Sequence, residues 1–251
     1  MENSAAYISI SFVIITIITL ILFYISIKKS SLPSVKTKAN YILIILIIWL
    51  ITQAFFSLND VYSSDLNSVP PKILILGIFP AALVMILILN LNDGKKFIDS
   101  LPIINITYIN TIRIFVEIIL YWLFLNKMIP KLMTFEGANL DILSGITAPF
   151  IAYYGFIRSK INYRVILIWN IVSLLLLINI VIIAILSTPS PLQRIAFDQP
   201  NIAILYFPFS WLPTFIVPVI ILGHIISIRR LLKGNIKKNY FFCYSSTIVK
   251  Q

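Results

Sequence analysis

Charge and reactive side chains are scarce in this chain. Of 251 residues only 12% are charged, with nine acids, one histidine and one cysteine. A lone cysteine excludes a disulfide scaffold. One His and one Cys exclude a zinc site of the usual His/Cys type and leave only carboxylate ligation of Mg or Ca open. No Walker loop, HxxxH pair or CxxC pair occurs, so the familiar phosphate-cradle, zinc-helix and paired-thiol signatures are missing. No cofactor is expected.

What is abundant is apolar. Hydrophobic residues make up 59% of the chain and the mean hydropathy is +0.97, above the range of soluble domains. Contiguous exposed apolar patches are rare on soluble proteins, so this surplus needs lipid as its solvent. A spanning helix takes ~20 apolar residues, because a ~30 Å hydrocarbon core is crossed at ~1.5 Å per residue. Seven stretches meet that requirement: 6–27, 41–58, 73–91, 103–125, 142–157, 165–186 and 202–228. The fifth is short. The expected fold is therefore all-α, a polytopic membrane protein built as a seven-transmembrane-helix bundle, with one integral membrane domain over 1–251 and a short basic tail at 229–251. That leaves no room for a soluble catalytic or nucleic-acid-binding module.

The loops orient the bundle. Cytoplasmic loops carry the excess of Lys and Arg. Of the twenty basic residues, fifteen fall on one set of alternate loops (28–38, 95–96, 158–164 and 229–250) and four on the other (Lys72, Lys127, Lys131, Arg194), with Arg113 inside a span. The N-terminus is expected outside and the C-terminus inside. The net charge of +11 is then a topology signal at an anionic lipid surface, with no nucleic-acid partner implied. The richness in Ile, Asn, Lys, Tyr and Phe resembles an AT-rich coding bias, which points to a bacterial inner membrane. In the tail, Tyr240, Phe241, Phe242, Cys243 and Tyr244 are expected at the inner interface, and 95–101 as an interfacial turn before Pro102 starts the fourth helix.

Charged side chains inside lipid are costly, at least ~2.5 kcal/mol at a helix centre, which makes each a candidate site. Arg113 and Glu117 are four residues apart, and Asn110 and Tyr121 extend them into one polar stripe at spacings of 3, 4 and 4. The stripe is either a ligand or proton site, with Glu117 titrating and Arg113 holding an anion, or a neutralised Arg113–Glu117 pair that fixes packing. Before the fifth helix, Glu136, Asn139 and Asp141 are either helix caps, with Asn139 or Thr134 as N-cap, or a paired-carboxylate site at the outer face. Small residues at 144, 148 and 152, with Gly145 and Gly155, give the fifth helix a face for close packing, within the bundle or against another membrane subunit. Pro208, Pro213 and Pro218 should break or strongly kink the seventh segment, as helices do at membrane binding sites. Gln53, Asn170, Ser173 and Asn179 are expected to bond between helices, and His224 to be packed or interfacial.

The seven-helix, N-out plan resembles the rhodopsins in layout only, since the seventh segment has no lysine for a retinal Schiff base. Three functions fit. The first is small-solute or ion handling, or ligand sensing, through the polar stripe. The second is a membrane-embedded enzyme acting on lipid at the outer face, and the third is a non-catalytic subunit of a membrane complex. The first two differ in where the carboxylates converge.

Overall fold

The computed structural model describes residues 6–233, and among these residues every regular element is helical. Five helices are long and apolar enough to cross a membrane: α1 (Ala6–Lys28), α2 (Pro33–Leu58), α5 (Ile103–Leu125), α7 (Tyr163–Ser187) and α8 (Leu212–Leu232). A sixth candidate is α3 (Leu74–Asn90) together with α4 (Asn92–Ser100), bent by 90° between them. The remaining apolar helix, α6 (Asp141–Ile157), is shorter. This is the architecture of a helical membrane protein. The tail residues Tyr240, Phe241, Phe242, Cys243 and Tyr244 lie outside the described residues.

The outward faces carry the lipid signature. On α1, Ile10, Ile14, Ile17 and Ile21 are exposed, and on α2 so are Ile44, Ile45, Ile48 and Ile51. These recur at helical spacing, so each helix presents a continuous apolar stripe away from the core. Inside, one apolar core joins α1, α5 and α8 through residues such as Phe12, Ile106, Ile119, Ile216 and Ile226. Hydroxyls are buried at these contacts without penalty because their own helix satisfies them: Thr16 and Thr19 donate to the carbonyls of Phe12 and Ile15 at 2.9 and 2.8 Å.

Two helix starts differ from expectation. The second helix begins at Pro33 instead of near residue 41, since a proline at the first helical position forfeits only an N–H that would be orphaned anyway. The last helix begins at Leu212 instead of 202. Ahead of it lie a 3₁₀ turn, Ala203–Leu205, and a turn holding Pro208, whose ring disfavours helix in the residue before it. The prolines therefore do not break a helix at mid-span. Pro213 stands in a π-helical opening turn, Leu212–Ile216, and Pro218 in the first turn of the α-helical part, Val217–Leu232. Pro149, inside α6, is likewise followed by a π stretch, Ile151–Ile157.

A proline in α register frees the carbonyl four residues earlier, and in lipid that oxygen must find another donor. Leu76, four residues before Pro80 and within a π-helical turn, Leu74–Ile78, accepts from Gln53 Nε2 at 3.1 Å through its carbonyl. Thr214, four residues before Pro218 and within the π-helical turn Leu212–Ile216, accepts from Trp49 Nε1 at 3.0 Å through its carbonyl. Both donors come from one face of α2, one turn apart. Gln53 is thus interhelical, as its type and place imply.

The interfacial turn before Pro102 is a full amphipathic helix, α4, with Ile98 buried and Asp93 and Lys96 exposed. Its right-angle approach to α3 needs glycine: a Cβ on Gly94 would lie 2.2 Å from the Ile88 carbonyl oxygen. At its far end, Ser100 O accepts from Ser31 N at 2.9 Å and Ser100 Oγ from Ser30 Oγ at 2.7 Å. Asp99 takes Arg229 Nε at 3.0 Å and Lys233 Nζ at 2.9 Å. Partial burial opposes the Asp99 charge, but the bonds from Arg229 and Lys233 hold its carboxyl below the usual range.

Candidate functional site

The polar stripe of α5 lies at the centre of the bundle. The helix is interrupted at 110–111, where Asn110 ends its first part, Ile103–Ile109, and the second, Ile112–Leu125, carries the charges. Arg113 is 1% exposed and Glu117 2%. Arg113 pairs with Asp141, 28 residues away, and not with Glu117: Nε donates to Asp141 Oδ2 at 2.7 Å and Nη2 to Asp141 Oδ1. The remaining N–H groups go to Asn110 Oδ1 at 3.3 Å, His224 Nε2 at 3.0 Å and the Ser173 carbonyl at 3.0 Å. All five guanidinium donors are thereby used, which is what makes a fully buried arginine tolerable.

This arrangement fixes the state of His224. Arginine can only donate, so Nε2 must accept and carries no proton. The proton of a neutral ring then sits on Nδ1, which donates to Asn170 Oδ1 at 3.0 Å. Asn170 in turn donates to the Ile166 carbonyl at 2.9 Å. His224 is 0% exposed and belongs to the cluster as an acceptor for Arg113.

Glu117 has a different environment. Both of its oxygens face one amide nitrogen, Asn139 Nδ2, at 2.7 and 2.8 Å, and that nitrogen also faces the Met133 carbonyl at 3.0 Å. Two amide hydrogens serve three acceptors, so Glu117 is under-supplied. Asn139 Oδ1 accepts the Asp141 backbone N–H at 3.0 Å, which orders the entry to α6 and ties Glu117 to Asp141. One cation therefore serves two carboxylates. The cluster carries a net charge of −1 with both ionised and is neutral with one proton added.

Arg113, Glu117 and Asp141 form one wall of a cavity of about 170 Å³. Its other walls are almost wholly carbon, including Leu177 and Ile180 of α7 and Ile216 and Ile220 of α8; Pro213 and Pro218 also line it, and Pro208 does not.

The other expected residues separate from this cluster. Tyr121 is half-buried and stacks on Phe135 at 4.9 Å, away from Arg113. Glu136 lies at the surface, its side chain 43% exposed and 3.9 Å from Lys131, while Asp141 points inward. The two outer-loop carboxylates thus do not pair. Thr134 closes its own 3₁₀ turn by donating to Lys131 O at 2.8 Å and does not cap α6. The small residues Ser144, Ala148 and Ala152 are buried within the chain itself, and a Cβ on Gly145 would stand 2.8 Å from Ile114 N of α5. That face is occupied by its own bundle. Asn179 donates to Ala138 O at 3.0 Å, and Ser173 contributes its carbonyl, so both act between helices. Among the described residues no three His, Cys, Asp or Glu side chains gather to hold a metal ion.

Sequence reasoning missed the Arg113–Asp141 pairing and the role of His224. The i, i+4 spacing favoured Glu117 as the partner, and an acid in the first turn of a helix reads as a dipole complement. The signal for His224 was its isolation: the chain's one histidine follows an apolar run, Val217–Gly223, in the middle of its helix.

The fold and cluster define a helical membrane protein with a buried, charged and fully hydrogen-bonded arginine centre. Over residues 70–232 the chain matches the model of a domain of unknown function, DUF8737, and it belongs to that family. No curated protein and no solved structure matches the chain. The matched region holds the whole cluster from Asn110 to His224, whereas α1 and α2 precede it.

Proposed function

We propose that this is a bacterial-type inner-membrane protein of seven spans, N-terminus outside and C-terminus inside, that handles or senses a small, mostly apolar solute bearing one positive charge or exchangeable proton, held at Glu117. One observation carries the reading: Glu117 lies on the wall of an apolar cavity with, among the described residues, no donor but the Asn139 amide. A cation or proton there neutralises the surplus carboxylate, while the carbon walls accept an apolar body. Arg113 and Asp141 satisfy one another and shape the site. The orientation is supported by the loop charges, with Lys28, Lys29, α4 and Arg229 joined at one end through Ser30, Ser100 and Asp99. The seventh span is α6, which at ~1.5 Å per residue is shorter than a ~30 Å core and relies on its neighbours.

A dry cavity of about 150 Å³ accommodates benzene, so benzylammonium is a suitable probe, with toluene as its neutral control. Thermal unfolding of the detergent-purified protein should show stabilisation by benzylammonium in the wild type and not in Glu117→Gln, while toluene acts equally on both. The amide introduced by Glu117→Gln retains an oxygen for Asn139, so the variant itself should stay folded. Equal benzylammonium stabilisation of the two proteins, or none in the wild type, would overturn the reading.

A further inference from the structure

A second groove runs between α2, α3 and α8 and is closed at one end by α4. Its volume is about 420 Å³, and its walls, among them Ile42, Leu46, Trp49, Val84, Ile88 and Phe97, are carbon. From Ile42 to Trp49 it follows α2 for about 10 Å at ~1.5 Å per residue. Its wall includes Ile45 of α2 and Val84 of α3, which are also exposed on the apolar outer faces of those helices, so its contents come from the bilayer. Such a groove has the shape for the upper part of an acyl chain.

The mouth of the groove is charged. Lys38 lies one turn before Ile42 and therefore on the groove face of α2. On α4, Lys96 Nζ is 3.0 Å from Asp93 Oδ1, and Lys96, with a smaller contribution from the Lys38 charge, holds the Asp93 carboxyl below its usual range. Lys38 and Lys96 against Asp93 leave one positive charge unbalanced among these three groups, and Lys95 on the same helix adds to the basic character of that end of the groove. That is the charge complement of a phosphodiester monoanion. A zwitterionic headgroup brings its own cation and gains nothing there.

We infer that this groove is a site for one anionic phospholipid, its acyl chain along α2 and α3 and its phosphate at Lys38 and Lys96. The position matters because Pro218 and Met85 border both this groove and the cavity that holds Glu117. An occupied groove thus supports the wall between lipid and the buried cluster.

Trp49, in the groove wall, reports occupancy. The protein is reconstituted in vesicles containing acyl-brominated phosphatidylglycerol or phosphatidylcholine at equal mole fraction, and the Trp49 contribution to quenching is taken as the difference between wild type and Trp49→Phe. One unbalanced charge should give about a fivefold preference for phosphatidylglycerol at Trp49, with a ratio near one at the other tryptophans. The double variant Lys38→Gln/Lys96→Gln should bring the Trp49 ratio to one, and Ala81→Phe, which fills the groove and leaves both lysines, should reduce quenching by either lipid. A wild-type ratio of one, a preference that survives the double variant, or full quenching in Ala81→Phe would each overturn the assignment.

Discussion

Asp141→Asn is the most direct perturbation of the buried cluster, because it keeps the shape of the side chain and removes one charge. Asp141 supplies two of the five acceptors around Arg113, the other three being the neutral groups of Asn110, His224 and Ser173. Removing one member of a buried ion pair typically costs about 3–5 kcal/mol, mostly through the charge left behind. For a chain of this size each kcal/mol lowers the midpoint by about 2–4 °C, so a fall of roughly 6–20 °C is expected. Arg113→Met, which leaves two carboxylates with no cation, should cost at least as much. The double variant Arg113→Met/Asp141→Leu replaces charge by carbon on both sides and should cost clearly less than Arg113→Met and Asp141→Leu measured singly and summed, with a coupling of about 2 kcal/mol or more. The assay is thermal unfolding in mild detergent, followed by tryptophan fluorescence and checked for monodispersity. An Asp141→Asn cost below about 1 kcal/mol, or additive singles, would refute the pairing as the organising contact of the bundle.

Two further outcomes follow from the packing and from the α4 junction. Gly145→Ala places a methyl 2.8 Å from the Ile114 backbone nitrogen, so α6 must retreat and carry Asp141 with it; the expected loss is about 1–3 kcal/mol. Gly155→Ala, whose nearest contact is the terminal methyl of the Ile166 side chain and not backbone, should lose less in the same unfolding assay. For Asp99, the folded carboxyl lies below its unfolded value, so its contribution is complete above about pH 4 and is lost as pH falls through the folded value. Asp99→Asn should therefore lower the midpoint by the equivalent of about 1 kcal/mol at pH 7, with the gap to wild type closing toward pH 3; a gap independent of pH would contradict the clasp.

The helices were legible because lipid demands long uninterrupted apolar runs, and 103–125 and 142–157 correspond closely to Ile103–Leu125 and Asp141–Ile157. Their starts were less so. Polar residues such as Lys36 and Asn40 continue α2 beyond its apolar part at no cost where the helix meets water, and proline marks both a helix start, at Pro33, and a stretch outside helix, at Pro208. Arg113, Glu117 and Asn110 were recognisable because charge in lipid is rare. The partner of Arg113 was not, since nothing local distinguishes an acid that caps its own helix from one that reaches across to another. Asn139 shows the same limit: as a loop residue it suggested a cap, yet its two ends link Glu117 to the Asp141 backbone.

The two carbonyls that α2 captures, at Leu76 and Thr214, each stand four residues before a proline and inside a π-helical turn, Leu74–Ile78 and Leu212–Ile216. Much of the polar docking of α2 is therefore addressed to backbone carbonyls at proline-marked π turns, and the identity of the side chains at 76 and 214 is largely irrelevant to it. In this chain two prolines act as docking marks for a neighbouring helix, and any apolar helix carrying a tryptophan and a glutamine one turn apart would have the donors to use them.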